Sequence, residues 1–215
     1  MDDATRLEVF RQSLLSRRLE ERVMGLAKAG EVPASLHMGA GQEVAQIAAL
    51  AALRPHDPML YGHRGVGYWI ARGVEPEVIL CDIAYKEGGT NQGKGGPMHL
   101  VDPSRGVLGE TGSLGGNFVI GVGIAFAEQY HGTGNVAVVF FGDGTANRGQ
   151  FHEALNFAAV CCCLVNRLKV DRSGTSVRPH QSCVISQALP VCHSRLRLKR
   201  RWQPLHYTLP SSFRK

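Results

Sequence analysis

Apolar positions in the first thirty residues recur at helical spacing. Leu7, Phe10 and Leu14 are three and four positions apart, with arginine and glutamate between them. One face of a 3.6-residue period is therefore apolar, which predicts a helix over residues 4–29. Gly30 fits the stop at its carboxyl end.

Shorter helical patterns follow, each close to a glycine or a proline. They lie at residues 42–53, 65–71, 75–87, 118–130 and 150–160. Pro55 ends the first of them, and Glu75-Pro76-Glu77 suits the first turn of the third. Gly121 and Gly123, together with nearby alanines, predict close packing of the helix over 118–130.

One continuous apolar run stands out from these periodic patterns. Residues 135–141 read Asn-Val-Ala-Val-Val-Phe-Phe, which predicts a strand buried on both faces of a parallel sheet. The strand leads into Gly142-Asp143-Gly144-Thr145 and then into the helix over 150–160. This order is typical of an α/β unit whose ligand site lies at the carboxyl end of the strand. We therefore predict an α/β fold, a parallel sheet flanked by helices.

Residues 88–116 are dense in glycine and follow neither period. They predict a long irregular loop, and loops of this length inside a compact domain are usually functional or disordered.

The charge changes abruptly near Val160. Residues 1–160 hold 13 basic and 17 acidic side chains, whereas residues 161–215 hold 11 basic side chains and a single acid. The second stretch also contains five of the six cysteines but only one of the 26 glycines. We therefore predict a folded domain over 1–160 and a basic, cysteine-containing, poorly ordered tail over 161–215.

The composition is that of a globular chain, with 44% hydrophobic and 20% charged residues over 215 positions. No apolar run is long enough to predict a transmembrane helix. The acidic start Met1-Asp2-Asp3 resembles neither a secretory signal nor an arginine-rich transit peptide. We expect a cytoplasmic protein without a membrane partner, or one of the mitochondrial matrix if a transit peptide is missing.

Asp143 is the strongest candidate for chemistry. It lies between two glycines at the end of the predicted buried strand, where a carboxylate is exposed at the ligand edge of the sheet. The following helix offers amides and the positive end of its dipole to an anion. The pattern favours a magnesium–diphosphate site with Asp143 as an oxygen ligand. The alternative is a tight turn with a solvated aspartate.

Residues 142–156, Gly-Asp-Gly-Thr-Ala-Asn-Arg-Gly-Gln-Phe-His-Glu-Ala-Leu-Asn, resemble the first half of the thiamine-diphosphate motif. More narrowly, they resemble the alpha subunit of the thiamine-dependent dehydrogenase component of 2-oxo acid and acetoin dehydrogenase complexes. Four other blocks are similar to this family in the right order: residues 37–43, 63–65 with Arg72-Gly73, 93–99 and 112–115. The resemblance covers residues 5–160 and implies a thiamine-diphosphate-binding fold, incomplete at its C-terminus.

The resemblance assigns the diphosphate end of the cofactor to two segments. It implies that Asp143 is a magnesium ligand and that the backbone of Gly144 and Thr145 lies near the diphosphate. Arg64 matches a diphosphate-binding arginine, for which a planar, permanently charged fork is suited. His63 matches an aromatic or polar cofactor contact.

The resemblance assigns the other end of the cofactor and the substrate to three more residues. Gly112 and Leu114 match residues that hold the aminopyrimidine ring, Leu114 as an apolar wedge. His37 matches a histidine near the substrate carboxylate or carbonyl. Lys94 and His99 are given no role. Without the resemblance, His37 and His63 are ordinary loop histidines, Arg64 is a surface ion-pair partner and Leu114 belongs to the core.

The implied cofactors are thiamine diphosphate and magnesium. The implied reaction is oxidative decarboxylation of a pyruvate-like 2-oxo acid, or cleavage of acetoin, with acyl transfer to a lipoyl group. The implied partners are the beta subunit, in a heterotetramer, and the lipoyl acyltransferase. In the family the glutamate that tunes the aminopyrimidine belongs to the beta subunit or another domain, so no catalytic residue is assigned here and the chain holds half an active site.

The resemblance stops after Val160, where the family continues to a pair of asparagines. Asn166 is a lone asparagine 23 residues after Asp143, and Arg172 stands at a spacing of 29. The second metal ligand is thus missing, which predicts impaired activity and a truncated, frameshifted or mispredicted alpha subunit.

The tail leaves three alternatives open. Its cysteines and His193 could bind zinc, although their spacing does not match a zinc finger. Residues 195–202 are basic and could bind nucleic acid, but no recognisable fold surrounds them, so we disfavour a nucleic-acid partner. The third alternative concerns the whole chain, which would be an inert fragment with no function.

Overall fold

The computed structural model describes residues 1–33, 36–160, 166–168 and 182–185. The helices are α1 Asp3–Lys28, α2 Glu43–Ala51, α3 Val66–Ala71, α4 Pro76–Ile83, α5 Gly116–His131 and α6 Gly149–Val160. The strands are β1 Met59–Leu60, β2 Val107–Gly109, β3 Val138–Phe141, β4 Asn166–Leu168 and β5 Ser182–Ile185. Short 3₁₀ turns lie at Pro103–Arg105 and Asp143–Asn147.

All six predicted helices are confirmed. The Asp2 side chain caps α1 by accepting a hydrogen bond of 2.8 Å from the Thr5 backbone N–H. Gly30, just beyond the other end, has a φ of +75°, which glycine adopts without strain. No helix in the described ranges is long and apolar enough to cross a membrane.

The five strands form one sheet in the order β2-β1-β3-β5-β4. The central strand β1 runs parallel to both of its neighbours, β2 and β3. All four residues of β3 are buried, so the predicted buried strand is confirmed. On its other side β3 pairs with β5 in the antiparallel sense, and β5 pairs with β4 likewise. The predicted parallel sheet is therefore the β2-β1-β3 part, which antiparallel strands extend.

Helices pack on both faces of β3. Successive side chains of a strand point to opposite faces, so neighbouring residues of β3 belong to different cores. Phe140 packs into the larger core with Tyr68, at 4.4 Å between ring centroids. Phe141 points to the other face, where its ring lies 4.8 Å from that of Phe118 in α5. Phe151 of α6 completes this second core. The α/β class is confirmed.

The close packing predicted for α5 holds at one glycine and fails at the other. A Cβ on Gly121 would overlap the Val139 side chain, so α5 rests directly on β3 there. Gly123 is exposed, and a Cβ on it would meet nothing within 4 Å. The prediction was wrong for Gly123 because that position faces away from the sheet.

The glycine-rich stretch is folded against α4. The fully buried Asp82 carboxylate accepts hydrogen bonds of 2.8 Å from both the backbone N–H and the hydroxyl of Thr90. It also accepts one of 3.1 Å from the backbone N–H of Asn91. The predicted irregular loop is confirmed, apart from the short β2 and the 3₁₀ turn before it.

Candidate functional site

A cleft lies at the carboxyl ends of the three parallel strands. The segments that follow β1, β2 and β3 all contribute to its walls, and the first turn of α5 closes one side. The lining residues are Gly62, His63, Arg64, Glu110, Thr111, Ser113, Leu114, Gly115, Asn117, Phe118, Phe140, Phe141, Gly142 and Thr145. This is the edge at which open parallel sheets bind ligands, because loops from neighbouring strands meet there.

The structure brings the sequence-predicted site residues to this edge. Those that line the cleft are His63, Arg64, Leu114 and Thr145. Those that lie beside it in the same segments are Gly112, Asp143 and Gly144. His37 comes from a separate loop, and its ring centroid lies 6.0 Å from that of His63.

Asp143 opens the 3₁₀ turn directly after β3 and is exposed to solvent. The helix that follows Asp143, α6, begins at Gly149, one residue before its predicted start, and none of its residues is among those that line the cleft. The α5 N-terminus takes that place, with Asn117 and Phe118 in the wall.

Two glycines leave the backbone accessible near the cleft. A Cβ on Gly112 or on Gly144 would meet nothing within 4 Å. Leu114, two residues after Gly112, keeps 49% of its surface exposed although it is a large apolar residue. An apolar side chain exposed in a cleft is a surface that a ligand can cover.

Arg64 ties the β1 segment to the loop that carries His37. Its guanidinium Nη1 donates a hydrogen bond of 2.7 Å to the Met38 carbonyl oxygen. Its own carbonyl oxygen accepts one of 3.0 Å from the Gln46 side chain in α2. The exposed Arg64 side chain is therefore held at the cleft while part of its donor set stays accessible.

Helix α1 also anchors the loop that carries His37, through Glu20, a residue that the sequence analysis did not single out. Glu20 is fully buried, and both of its carboxylate oxygens accept from the Gly39 backbone N–H, at 2.9 and 3.0 Å. Burial raises the pKa of Glu20 to about 7, against the opposing effect of the Gly39 hydrogen bond. An acid on the apolar face of α1, between Ser16 and Val23, is the signal that could have found it.

Glu43, at the start of α2, holds the next residues of the same loop. Its Oε1 lies 2.6 Å from Arg17 Nε, and its Oε2 accepts a hydrogen bond of 2.7 Å from the Gly41 backbone N–H. Two helices thus fix the loop through carboxylates, and the position of His37 follows from helix packing.

Glu110 is the second residue that sequence reasoning missed. It follows β2, and its side chain is only 3% exposed in the cleft wall. Its Oε1 lies 2.5 Å from His63 Nδ1, and its Oε2 lies 3.6 Å from His99 Nδ1. Burial raises the pKa of Glu110 to about 7, partly offset by His99. A strand of three residues gives no periodic signal, so nothing in the sequence marked its end.

Asn117 joins the strand ends to each other. Its side-chain amide donates a hydrogen bond of 2.9 Å to the Tyr61 carbonyl oxygen and accepts one of 3.0 Å from the Thr111 backbone N–H. The first turn of α5 thereby fixes the segments after β1 and β2 relative to each other.

Within the described residues no group of three or more histidine, cysteine, aspartate or glutamate side chains is arranged to hold a metal ion. The zinc and nucleic-acid alternatives fall on the tail, where side chains lie outside the described residues.

Similarity to known proteins identifies the family. The family model described as Dehydrogenase E1 component matches residues 11–168, which extends past the predicted boundary at Val160. The alpha subunit of acetoin:2,6-dichlorophenolindophenol oxidoreductase from Cupriavidus necator is 40% identical over 160 residues, 74% of this chain and 48% of that protein. The subunit of the same name from Bacillus subtilis is 40% identical over 72% of this chain and 46% of its own length.

A pyruvate dehydrogenase E1 component subunit alpha, from Zymomonas mobilis, is 36% identical over 72% of this chain and 44% of its own length. The chain thus spans about half the length of the curated relatives it matches. Because the family model covers most of the chain, and the matched part contains every strand end that forms the cleft, this chain belongs to the dehydrogenase E1 component family, among relatives named as alpha subunits.

Proposed function

We propose that this chain is the alpha subunit of a thiamine-diphosphate-dependent dehydrogenase component. It would act on a pyruvate-like 2-oxo acid or on acetoin, together with a beta subunit and a lipoyl acyltransferase. The relatives named after acetoin and pyruvate support both substrates. The single observation that carries the proposal is the convergence of His63, Arg64, Leu114 and Thr145 on one cleft at the ends of three parallel strands.

The cleft fits the diphosphate end of the cofactor. The planar, positively charged guanidinium of Arg64 lines the cleft and suits two oxygens of a diphosphate. In the 142–145 segment, a Cβ on Gly144 would meet nothing within 4 Å, so the backbone there is accessible to a ligand. The first turn of α5 adds the positive end of a sixteen-residue helix. All three features favour an anion at the same edge.

The cleft also fits an aromatic ring at its other end. Gly112 leaves its backbone open, and the half-exposed Leu114 side chain presents an apolar surface. When bound, the cofactor supplies the carbanion and electron sink for cleavage next to a carbonyl. The role of this chain is to bind and orient it and to shield part of it from water.

A magnesium ion at this site would be held by Asp143. Asp143 is exposed at the cleft and would be its carboxylate ligand, since hard cations prefer oxygen. It belongs to no group of three or more histidine, cysteine, aspartate or glutamate side chains that could hold a metal ion in the described part of the chain. We therefore expect the chain alone to bind cofactor and magnesium weakly, and more tightly when the beta subunit is present.

His37 and His63 are the proposed contacts to the substrate and the cofactor, respectively. Their rings lie near each other, with 6.0 Å between centroids, and His63 lines the cleft. An imidazole there can donate to a substrate carbonyl or carboxylate oxygen. The loop anchors at Glu20 and Arg64 hold His37 in reach of that position.

Calorimetric titration of thiamine diphosphate with magnesium tests the proposal, using the chain with and without a beta subunit. The variant Arg64→Lys keeps the charge but loses the fork, and Arg22→Lys on the exposed side of α1 is the matched control. We expect Arg64→Lys to weaken binding about tenfold, which is about 1.4 kcal/mol, with the control unchanged. Equal affinity of the two variants, or no binding by the complex, contradicts the proposal.

A further inference from the structure

Glu110 is a buried carboxylate with an imidazole on each side. His63 Nδ1 lies 2.5 Å from one of its oxygens and His99 Nδ1 lies 3.6 Å from the other. Glu110 is 3% exposed, whereas the side chains of His63 and His99 are 32% and 45% exposed. The carboxylate is therefore the inner member of the cluster, and the two imidazoles extend from it toward solvent.

The cluster is not fully satisfied by the protein. Among the described residues, the buried Glu110 Oε2 accepts no hydrogen bond, and the 2.5 Å contact of His63 Nδ1 with Glu110 Oε1 is not aligned as a hydrogen bond. A buried polar atom without a partner costs about 1–3 kcal/mol, so a purely structural site would not favour this arrangement. Such atoms in a ligand cleft are a feature of sites that work on a ligand.

We propose that Glu110 is a positioning residue that holds His63 and His99 through their Nδ1 atoms. With Nδ1 committed to the carboxylate, Nε2 is the ring nitrogen of His63 that is available to a substrate in the cleft. This inference rests on the proposed function, because the substrate is the 2-oxo acid or acetoin named there. It adds a carboxylate–histidine pair of this chain to that site.

The pair can take one proton from the substrate and hold it. When a substrate hydroxyl passes its proton to Nε2 of the neutral His63 ring, the O–H bond breaks, an N–H bond forms and the electron pair stays on the substrate oxygen, which leaves an imidazolium whose Nδ1–H faces the Glu110 carboxylate. The imidazolium then donates from Nε2 to the carbonyl or hydroxyl oxygen of the substrate. The carboxylate stays in contact and balances the positive charge, as carboxylates do for histidines in other active sites.

The other polar groups around the cluster are occupied or farther away. The buried Tyr61 hydroxyl donates to the carbonyl oxygens of Met98 and Leu100, at 3.1 and 2.7 Å, and burial raises its pKa, so it stays neutral. The guanidinium of Arg64 donates to Met38, and the His37 ring lies 6.0 Å from that of His63. The carboxyl of this cluster whose pKa is raised to about 7 is that of Glu110.

Nuclear magnetic resonance of the full chain with ¹⁵N-labelled histidines tests the inference without any cofactor. The variants His63→Gln and His99→Gln assign the two rings. In the wild type we expect the neutral His63 ring to carry its proton on Nδ1, and both rings to report a common step near pH 7 when Glu110 titrates. A His63 ring with its proton on Nε2 overturns the inference, and this readout needs no change at Glu110.

Substitutions at Glu110 give the second readout. In Glu110→Gln and Glu110→Ala the common step should disappear from both rings, whereas Glu77→Gln on the exposed side of α4 should leave it in place. Persistence of the step in both Glu110 variants also overturns the inference. Because the samples contain no cofactor, the spectra can fail while the calorimetric test of the proposed function succeeds, and the reverse.

Discussion

Glu20 and Glu110 are two carboxyl groups whose burial raises their pKa from 4.5 to about 7. In the unfolded chain such groups lose their protons near pH 4.5, whereas the folded protein keeps them until about pH 7. The unfolded state therefore binds fewer protons in this window, and the free energy of unfolding falls as the pH rises from 4.5 to 7.

For the fully buried Glu20, the loss across this window is about 3 kcal/mol. Urea unfolding at pH 5, 6, 7 and 8 measures it. We expect a decrease up to about pH 7 and little further change from this group above it. A free energy of unfolding that rises through this range contradicts the assignment of neutral, buried carboxyl groups.

The variant Glu20→Gln removes the titration but keeps the shape of the side chain. Its amide leaves buried donors beside the Gly39 N–H, which destabilises the fold by about 1–3 kcal/mol at pH 5. Because the wild type itself loses stability as Glu20 ionises, the difference between the two should shrink by pH 8. Glu21→Gln, one residue along on the exposed side of α1, is the control and should behave as wild type.

Asp143 is the residue on which any magnesium dependence of this chain should rest. We expect Asp143→Asn to reduce the magnesium-dependent part of cofactor affinity about tenfold or more, since a neutral amide is a poorer ligand for a hard cation. Asp3→Asn, exposed at the start of α1, should have no effect. Calorimetry of the complex with the beta subunit, with magnesium varied, measures this, and a variant as magnesium-responsive as wild type would exclude the role.

Sequence reasoning at the residue scale found groups that local motifs mark and missed groups that packing creates. His63 and Arg64 stand in a recognisable block, and Asp143 stands between glycines after a buried strand. Glu20 and Glu110 owe their environment to contacts with Gly39, nineteen residues away, and with His63, on another strand end. No short pattern encodes such contacts.

The helices were predictable because their apolar faces are long enough to show a period, and β3 because it is a continuous apolar run. β1 and β2 contain two and three residues, which is below the length at which alternation can be recognised. Their pairing depends on hydrogen bonds such as those from Met59 N–H to Gly106 and from Val138 N–H to Pro58. The cleft is built on these two strands, so its exact composition was not accessible from the sequence.

The contact of α5 with β3 gives a prediction at the element scale. Gly121→Ala places a methyl group against Val139 and should destabilise the chain by about 1–3 kcal/mol. Gly123→Ala, on the open side of the same helix, should stabilise it by about 0.5–1 kcal/mol because alanine is the better helix former. Thermal or urea unfolding of both variants measures the difference, and equal effects would show that α5 does not rest on β3 in solution.

At the scale of the whole molecule, the described part of the chain forms a cleft. It does not bring three or more histidine, cysteine, aspartate or glutamate side chains together around a possible cation. The matched relatives are about twice as long as the region they share with this chain. The division at residue 160 into a folded domain and a basic tail stays a prediction. The backbone of 182–185 nevertheless pairs with β3, which extends the sheet beyond that boundary.

The most direct measurement is a crystal structure of the chain with a beta subunit, thiamine diphosphate and magnesium. The account predicts density for the cofactor between the segments 62–64, 110–115 and 142–145, with the diphosphate against Arg64 and the cation on Asp143. Cofactor bound elsewhere, or an Asp143 side chain directed away from the cation in the occupied complex, would contradict it.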